Sequence, residues 1–251
     1  MEQQLWRQGF SFVVGVDEAG RGPLAGPVVA AAAVLPRDGT GLPSTIHLDD
    51  SKKMTEEQRE EAFEALEAAS RDFATTGVAF ASCVLPPSLV DEVNILEATM
   101  LAMDRAVQEL SGKLLRGAGG GGLGGGREEP LSPGAAAAAA PLAVLVDGNR
   151  LPPRLASQQS DRLFSRAVVK GDARSTAIAA ASVVAKVTRD RLMREAAARW
   201  PRYNFEVHKG YGTAFHVAAI RKYGPCEIHR RSFEPIKSLV GWSRGEIGSE
   251  E

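Results

Sequence analysis

Three short apolar stretches of this chain, each with the composition of a buried strand, end at or close to a carboxylate. The stretches cover residues 12–16, 142–146 and 167–169, and the carboxylates that follow them belong to Asp17, Glu18, Asp147 and Asp172. In a sheet with helices on its faces, sites form beyond the strand ends, so these acids are expected to converge on one crevice. Clustered carboxylates repel one another, and a hard cation with oxygen ligands relieves that repulsion.

The ligand types indicate which cation and which chemistry to expect. Four carboxylates without a neighbouring His or Cys ligand suit Mg²⁺ or Mn²⁺ better than zinc. Two such ions held about 3.5–4 Å apart are the usual catalysts of in-line phosphodiester displacement, in which one activates water and the other stabilises the leaving oxygen. The acids therefore predict a metal-dependent enzyme that acts on phosphodiesters.

Each acid also has a simpler interpretation. An Asp after a strand is often a turn former or a helix N-cap, and Asp147 followed by Gly148 is common turn chemistry. Asp17 and Glu18 are harder to explain in this way, because they directly follow a buried run. Adjacent strand side chains point to opposite faces, so both acids can reach one site only if the strand ends there.

Hydrophobic patterning predicts the elements that position these acids. The apolar run over residues 28–35 predicts a central strand, and residues 73–83 predict a further strand that is weakened at Gly77. A helix is expected over residues 55–69, because Thr55 and Gln58 have the spacing of a capping box. Apolar residues at helical spacing predict two more helices, over residues 92–110 and 176–199.

Three further segments differ from the rest in composition. Residues 112–141 contain a glycine-rich tract followed by six alanines, which predicts a flexible surface insertion. Residues 201–237 are expected to form short helices and loops, and the polar residues 238–251 a flexible tail. The sequence thus predicts one α/β domain over residues 10–200, followed by a small C-terminal helical region over residues 201–237.

Composition excludes several classes of protein. The chain has 251 residues, 44% of them hydrophobic, and a formal net charge of −1, so a nucleic-acid-binding surface would have to be local. Two cysteines cannot form a disulfide framework, which favours a reducing compartment. The first residues lack an apolar signal core, and the longest apolar run, over residues 25–35, is too short to span a bilayer. We therefore expect a soluble, cytoplasmic protein.

Eight motifs of this chain occur in the order found in one known family. The first motif is Val-Asp-Glu-Ala-Gly-Arg-Gly-Pro-Leu-Ala-Gly-Pro-Val over residues 16–28. The others cover residues 50–53, 94–99, 147–149, 170–172, 180–190, 208–213 and 229–233. A series of motifs in one order is far more specific than any single glycine-rich motif. From about residue 14 to residue 237, apart from the insertion, the chain therefore resembles ribonuclease HII.

The resemblance implies a fold and a set of catalytic residues. It implies a ribonuclease H-like α/β fold with a five-stranded mixed sheet flanked by helices, followed by a small C-terminal helical region. It also implies that catalysis and binding of Mg²⁺ or Mn²⁺ are carried out by Asp17, Glu18, Asp147 and Asp172. The interpretation of the strand ends reaches the same four residues independently.

The resemblance further implies how the substrate is recognised. In this family the loop that corresponds to Gly20, Arg21 and Gly22 contacts the 2′-hydroxyl of the ribonucleotide at the cleavage site, and this hydroxyl distinguishes RNA from DNA. Glycine suits such a loop because it lets the backbone approach closely. The family's tyrosine corresponds to Tyr211, which is expected to pack on the neighbouring deoxyribose. Outside the family context, the loop would be a plain tight turn and the tyrosine a surface or core residue.

The implied activity is endonucleolytic. We expect a monomer that hydrolyses the RNA strand of RNA–DNA hybrids and incises duplex DNA on the 5′ side of embedded ribonucleotides, as in ribonucleotide excision repair and DNA replication. The expected products carry 5′-phosphate and 3′-hydroxyl ends. Two alternatives within the same fold are a junction resolvase and ribonuclease HIII, and an alternative from another class is a non-catalytic protein that binds hybrids.

A basic region and two lysines are candidates for contact with nucleic acid. Residues 201–237 hold seven basic and three acidic side chains, a local charge of +4, with aromatic residues between them. The basic groups would neutralise phosphates and the aromatic rings would stack on sugars or bases, although a solvated helical face would have a similar composition. Lys52 and Lys186 are further candidates for phosphate contacts.

Two other pairs have a spacing that could support different chemistry. Ser182 and Lys186 share a helix face and could form a nucleophile and its base, but a position in the middle of a helix argues against it. Cys226 and His229 have a spacing that zinc could use, but no second pair at the spacing of a zinc finger accompanies them.

Overall fold

A five-stranded mixed sheet lies at the centre of the molecule. The computed structural model describes residues 1–37, 48, 53–118 and 140–243. The strands lie in the order β3-β2-β1-β4-β5, and their bounds are Phe12–Ala19 for β1, Val28–Val34 for β2, Ala79–Leu85 for β3, Leu142–Asp147 for β4 and Leu163–Val168 for β5. Antiparallel pairs join β1 to β2 and β2 to β3, whereas β1 and β4, and β4 and β5, are parallel. The predicted mixed sheet of five strands is confirmed.

Helices lie on both faces of this sheet. Their bounds are Glu2–Arg7 for α1, Glu56–Ser70 for α2, Phe73–Thr76 for α3, Pro87–Val93 for α4, Ile95–Ala118 for α5, Pro153–Ser157 for α6, Thr176–Arg199 for α7, Phe205–His208 for α8, Ala214–Tyr223 for α9 and Ile236–Val240 for α10. Helix α5 packs on one face and α7 on the other, with α2 beside α7. No helix in the described ranges is both long enough and apolar enough to cross a membrane.

The central strands are built from small residues that let α7 come close. Strand β2 is buried along its whole length and contains four consecutive alanines. At Gly15 in β1, a Cβ atom would lie 2.0 Å from the carbonyl carbon of Ala177, so any side chain there would displace the start of α7. Ser175 caps this helix by accepting a hydrogen bond from the Ile178 backbone N–H. The tight packing therefore fixes the start of α7 against the strand that carries Asp17.

The predicted helix over residues 55–69 and the predicted helix over residues 176–199 are confirmed. Thr55 and Gln58 form the expected capping box, with hydrogen bonds of 2.9 and 3.2 Å between them. The prediction of one strand over residues 73–83 is wrong. Asp72 accepts a hydrogen bond from the Thr75 backbone and starts the short helix α3, which ends at Gly77 with a left-handed backbone, so that β3 begins only at Ala79.

The predicted helix over residues 92–110 is confirmed from Ile95 onward, but its predicted start is wrong, because the chain breaks at Asn94. This residue has a φ of 79°, and its side-chain oxygen accepts hydrogen bonds from the backbone N–H groups of Leu96 and Glu97. Asn94 thus ends α4 and caps α5. Helix α5 continues to Ala118, so the first part of the predicted insertion is helical, while residues 119–139 lie outside the described residues. The predicted tail lies outside them from residue 244 onward.

The C-terminal region shares a core with the loop that follows β1. It consists of a 3-10 turn at Pro201–Tyr203 and the short helices α8, α9 and α10. Its buried side chains pack together with residues of that loop and of α7, and the cluster comprises Leu24, Ala25, Met193, Tyr203, Phe205, Ala219, Ile220 and Ile236. Leu24 and Ala25, in the loop that follows β1, are therefore part of the same hydrophobic core as the C-terminal helices.

Two buried histidines form a hydrogen-bonded pair behind Tyr211, and a third histidine stacks on one of them. His216 Nδ1 donates to the Tyr211 carbonyl at 2.9 Å, so His216 Nε2 is left to accept from His229 Nε2 at 3.0 Å. His229 Nδ1 accepts from the Cys226 backbone at 2.9 Å. His208 stacks on His216 with ring centroids 4.3 Å apart. Each of the two linked rings donates at one nitrogen and accepts at the other, so both are neutral.

Burial lowers the pKa of His216 and of His229 from the ordinary 6.5 to about 4. Between pH 6.5 and pH 4 the unfolded chain therefore binds more protons at these residues than the folded chain does, and stability falls as the pH is lowered through this window. We expect the free energy of unfolding of the His216→Gln variant to fall less than that of the unaltered chain between pH 7 and pH 4.5, by about 2 kcal/mol. Urea titrations at both pH values measure this, and an equal fall in the two proteins would contradict it.

Candidate active site

Asp17 and Asp147 lie side by side where two parallel strands stop pairing. The ladder between β1 and β4 ends at the pair Val16 and Val146, and each strand places its acid directly after that pair. Strand β1 does not end there, contrary to the condition inferred from the sequence, because it remains paired with β2 as far as Ala19. The two acids thus lie at the point where β1 and β4 separate, and Asp17 is only 4% exposed.

The turn after β5 brings Gly171, the residue before Asp172, against the acid of β4. The Gly171 backbone N–H donates to Asp147 Oδ1 at 2.6 Å, and a Cβ atom at Gly171 would lie 2.5 Å from Ile178 Cδ1. A side chain at position 171 would therefore require the end of the buried Ile178 side chain to shift. Asp172 itself is buried, and its Oδ1 accepts from the Ala173 backbone at 3.0 Å.

Charge repulsion and burial act together on the acids of β1. Burial raises the pKa of Asp17 well above its usual value, and the charges of Glu18 and Asp147 raise it further, against a hydrogen bond from Ser182 that lowers it. Burial also raises the pKa of Glu18, although the Arg21 guanidinium at 3.2 Å opposes this shift and the charge of Asp147 adds to it. The charge of Asp147 is therefore close enough to Asp17 and Glu18 to raise the pKa of both.

The donor set fits a hard divalent cation in its chemistry. The acids offer carboxylate oxygens, which Mg²⁺ and Mn²⁺ prefer, and a cation would relieve the repulsion that raises the pKa of Asp17. As the side chains stand, no group of three or more His, Cys, Asp or Glu residues in the described ranges is arranged to hold a metal ion. Instead, Glu18, Asp147 and Asp172 each accept a hydrogen bond from a nearby donor.

An open cleft of ≈ 290 Å³ lies against these acids. Glu18 and Asp147 line it together with the cations of Arg21 and Arg150, and its apolar wall comes from α5. The sequence interpretation did not single out Arg150. The feature of the sequence that could have identified Arg150 is its position directly after the motif over residues 147–149. A cleft lined by two acids and two arginines can accommodate a phosphodiester.

The glycine-rich loop and the predicted tyrosine meet at a neighbouring position. A Cβ atom at Gly22 would lie 3.7 Å from Tyr211 Cε1, and the Tyr211 side chain is 49% exposed. The Gly210 carbonyl accepts from the Leu24 backbone N–H at 2.8 Å, which holds the two segments together. Gly210 has a φ of 85° and lies so close to Ala25 that a Cβ atom would be 2.4 Å from its carbonyl oxygen. A side chain at position 210 would therefore separate the tyrosine from the loop.

The remaining candidate residues are Lys52, Ser182, Lys186 and the pair Cys226 and His229. Lys186 Nζ lies 2.7 and 2.6 Å from the two carboxylate oxygens of Asp190, so its charge is paired within α7. Ser182 interacts with Asp17, so Ser182 and Lys186 do not form a nucleophile and its base. Lys52 lies outside the described residues. In the part of the chain that the structure describes, no third ligand accompanies Cys226 and His229, which argues against a zinc site.

One basic residue of the C-terminal region is not on the surface. Arg230 was counted among the groups that neutralise phosphates, but its side chain is fully buried. Burial, together with the charge of Arg189, lowers the pKa of Arg230 to about 9. The exposed basic residues of the region are Arg202, Arg221, Lys222, Arg231 and Lys237. The local positive surface is therefore smaller than composition suggested.

Known proteins of one family match most of this chain. A family model described as Ribonuclease HII matches residues 14–114 and 135–236. Ribonuclease HII of Endomicrobium trichonymphae is 39% identical over 98% of this chain and 96% of its own. Ribonuclease HII of Geobacillus sp. strain WCH70 is 41% identical over 95% of this chain and 70% of its own.

Solved structures resemble the fold over most of its length. Ribonuclease H2 from Pyrococcus horikoshii OT3 matches with a TM-score of 0.62 and 25% identity, over 92% of this chain and 97% of that one. Bst-RNase HIII in complex with Mn²⁺ matches with a TM-score of 0.60 over 94% of this chain and 71% of that one, and at 18% identity it shows the fold alone. The fold and these matches define a ribonuclease H-type enzyme. Within that class, the chain belongs to the ribonuclease HII family.

The burial of Asp17 has a consequence for stability that does not depend on activity. Replacement of Asp17 by Asn keeps the shape and the acceptor of the Glu18 N–H but removes a buried group that is repelled by Glu18 and Asp147. In EDTA at neutral pH, we expect Asp17→Asn to raise the free energy of unfolding by about 1 kcal/mol or more. Chemical denaturation measures this difference, and a less stable Asp17→Asn variant would count against the repulsive cluster.

Proposed function

We propose that this chain is an endonuclease that cuts the RNA strand of RNA–DNA hybrids and incises duplex DNA on the 5′ side of embedded ribonucleotides. The observation that carries the proposal is the position of the exposed Tyr211 ring beside Gly22, on the glycine-rich loop that continues from Asp17 and Glu18. Acids suited to phosphodiester hydrolysis and a candidate reader of the 2′-hydroxyl thus lie on one continuous segment. Membership of the ribonuclease HII family supports the coarser activity on hybrids.

The metal-binding residues in this proposal are Asp17, Glu18, Asp147 and Asp172, with Mg²⁺ or Mn²⁺ as the cofactor. A carboxylate cluster of this kind suits two ions, and the chemistry that bound divalent ions supply is the activation of water and the stabilisation of the leaving 3′-oxygen. Products with 5′-phosphate and 3′-hydroxyl ends follow from that choice of leaving group. The Mn²⁺ complex of Bst-RNase HIII belongs to that protein, and it makes Mn²⁺ a reasonable first ion to test here.

The chain's own residues would bind and orient the substrate. Asp147 is held by a hydrogen bond from the Gly171 backbone N–H to its Oδ1. Arg21, whose side chain is half-exposed, pairs with the largely buried Glu18 and would be within reach of a phosphate in the cleft that both residues line. The Tyr211 ring would pack on the deoxyribose next to the ribonucleotide, while the backbone of Gly20, Arg21 and Gly22 would contact the 2′-hydroxyl.

The test is an incision assay on three labelled substrates: a DNA duplex with one ribonucleotide, the matching all-DNA duplex and a long RNA–DNA hybrid. With Mg²⁺ or Mn²⁺ we expect incision on the 5′ side of the single ribonucleotide, no cutting of the all-DNA duplex and no activity in EDTA. Asp147→Asn should lower the rate by about 100-fold or more, because it removes a ligand of the ions that would activate water and stabilise the leaving oxygen. Asp161→Asn, which changes an exposed acid outside the site, is the matched control.

The other outcomes distinguish the alternatives. Cutting of the long hybrid without incision at the single ribonucleotide would refute the junction-specific part of the proposal and leave a ribonuclease H of another specificity. Binding of hybrids without cutting of any substrate, unaffected by metal, would refute the nuclease and favour a binding protein. Equal rates for Asp147→Asn and Asp161→Asn would refute the assignment of the acids.

A further inference from the structure

The side chain of Arg230 connects the C-terminal region to the glycine-rich loop. Its guanidinium donates three hydrogen bonds to backbone carbonyls, from Nη2 to Gly20 at 2.5 Å, from Nη1 to Arg21 at 3.0 Å and from Nε to Gly26 at 3.0 Å. The side chain is fully buried, so no part of this positive charge is presented to solvent. The side-chain donors of Arg230 therefore bind the loop and not phosphates.

Backbone contacts hold Arg230 itself in place. Its N–H donates to the Leu24 carbonyl at 2.9 Å, and the Gly26 N–H donates to the Ile228 carbonyl at 2.8 Å. On the other side, the Asp91 carboxylate of α4 accepts the backbone N–H groups of the two residues that follow Arg230, at 2.8 and 2.9 Å. The backbone that carries the guanidinium is thus fixed from both sides.

The direction of these hydrogen bonds determines what the loop presents to solvent. In a trans peptide the C=O and the following N–H point in opposite directions. Because the carbonyls of Gly20 and Arg21 point inward to Arg230, the N–H groups of Arg21 and Gly22 point away from it. Residues 21 and 22 are exposed, and Gly22 faces the Tyr211 ring. Both N–H groups therefore point away from Arg230 on an exposed part of the loop, next to the tyrosine ring in the case of Gly22.

We infer that Arg230 is a positioning residue for substrate recognition: it orients the two peptide units of the loop so that the N–H groups of Arg21 and Gly22 face the nucleic acid beside the acidic cluster. This inference rests on the proposed function. Arginine suits the task because its planar fork carries five donors, whereas a lysine ammonium at the same place cannot reach three separate carbonyls. Arg230 does not touch the substrate and acts only through the loop.

The test compares Arg230→Lys with Arg191→Lys. Arg191 is the control, because its guanidinium donates two hydrogen bonds to Glu60 of α2, outside the glycine-rich loop. We expect Arg230→Lys to lower kcat/KM at a single embedded ribonucleotide by about 10- to 100-fold, as a misplacement of about 1 Å can do. The affinity for Mn²⁺ should change by less than about threefold, and Arg191→Lys should lower kcat/KM by less than about threefold.

A measurement that needs no activity accompanies the assay. Backbone ¹⁵N relaxation of Arg21 and Gly22 should give order parameters near about 0.85 in the unaltered chain, as in rigid backbone, and lower values in Arg230→Lys. Order parameters below about 0.6 in the unaltered chain would overturn the inference even if Arg230→Lys failed to fold. Equal kcat/KM values for the two lysine variants would overturn it as well. If the unaltered chain cuts no substrate, the proposed function fails, while the relaxation data still decide whether Arg230 orders the loop.

Discussion

Mutual repulsion among buried carboxylates is the constraint on which the rest of this structure depends. Asp17 and Asp147 come together because β1 and β4 are parallel neighbours whose ladder stops one residue before each acid. Burial raises the pKa of Asp17, and the nearby charges of Glu18 and Asp147 raise it further. Such a cluster does not stabilise the fold. The free-energy cost of burying carboxylates that repel one another therefore indicates a site where a cation or a substrate compensates it.

The surrounding elements hold the cluster by close contacts that tolerate few side chains. Gly15 lets the start of α7 lie directly on β1, and Gly171 lets the turn after β5 donate to Asp147. The C-terminal region holds the adjacent loop through the Gly210 carbonyl and through Arg230. The acidic cluster and the glycine-rich loop are therefore supported by separate parts of the chain, which is why a region after residue 200 bears on a site that begins at residue 17.

Local signals in the sequence predicted the strand-end acids, the capping box at Thr55 and the whole of α7, because strand ends, caps and apolar periodicity depend on neighbouring residues. The break at Asn94 and the helix α3 were missed, since each depends on one residue with a left-handed backbone that overrides the apolar pattern around it. The burial of Arg230 was missed for a different reason. Composition counts charge but cannot tell a surface arginine from one whose donors are satisfied by carbonyls distant in sequence.

The central claim is that the acids of β1 and β4 bind a divalent cation, and titration of Mn²⁺ into the chain, followed calorimetrically, tests it most directly. The account predicts saturable binding to the unaltered chain and to Asp161→Asn, with release of protons because metal binding requires the raised-pKa carboxylates to ionise. It also predicts that binding is weakened at least about tenfold in Asp17→Asn. Equal affinity in the two variants, or binding without proton release, would contradict the claim.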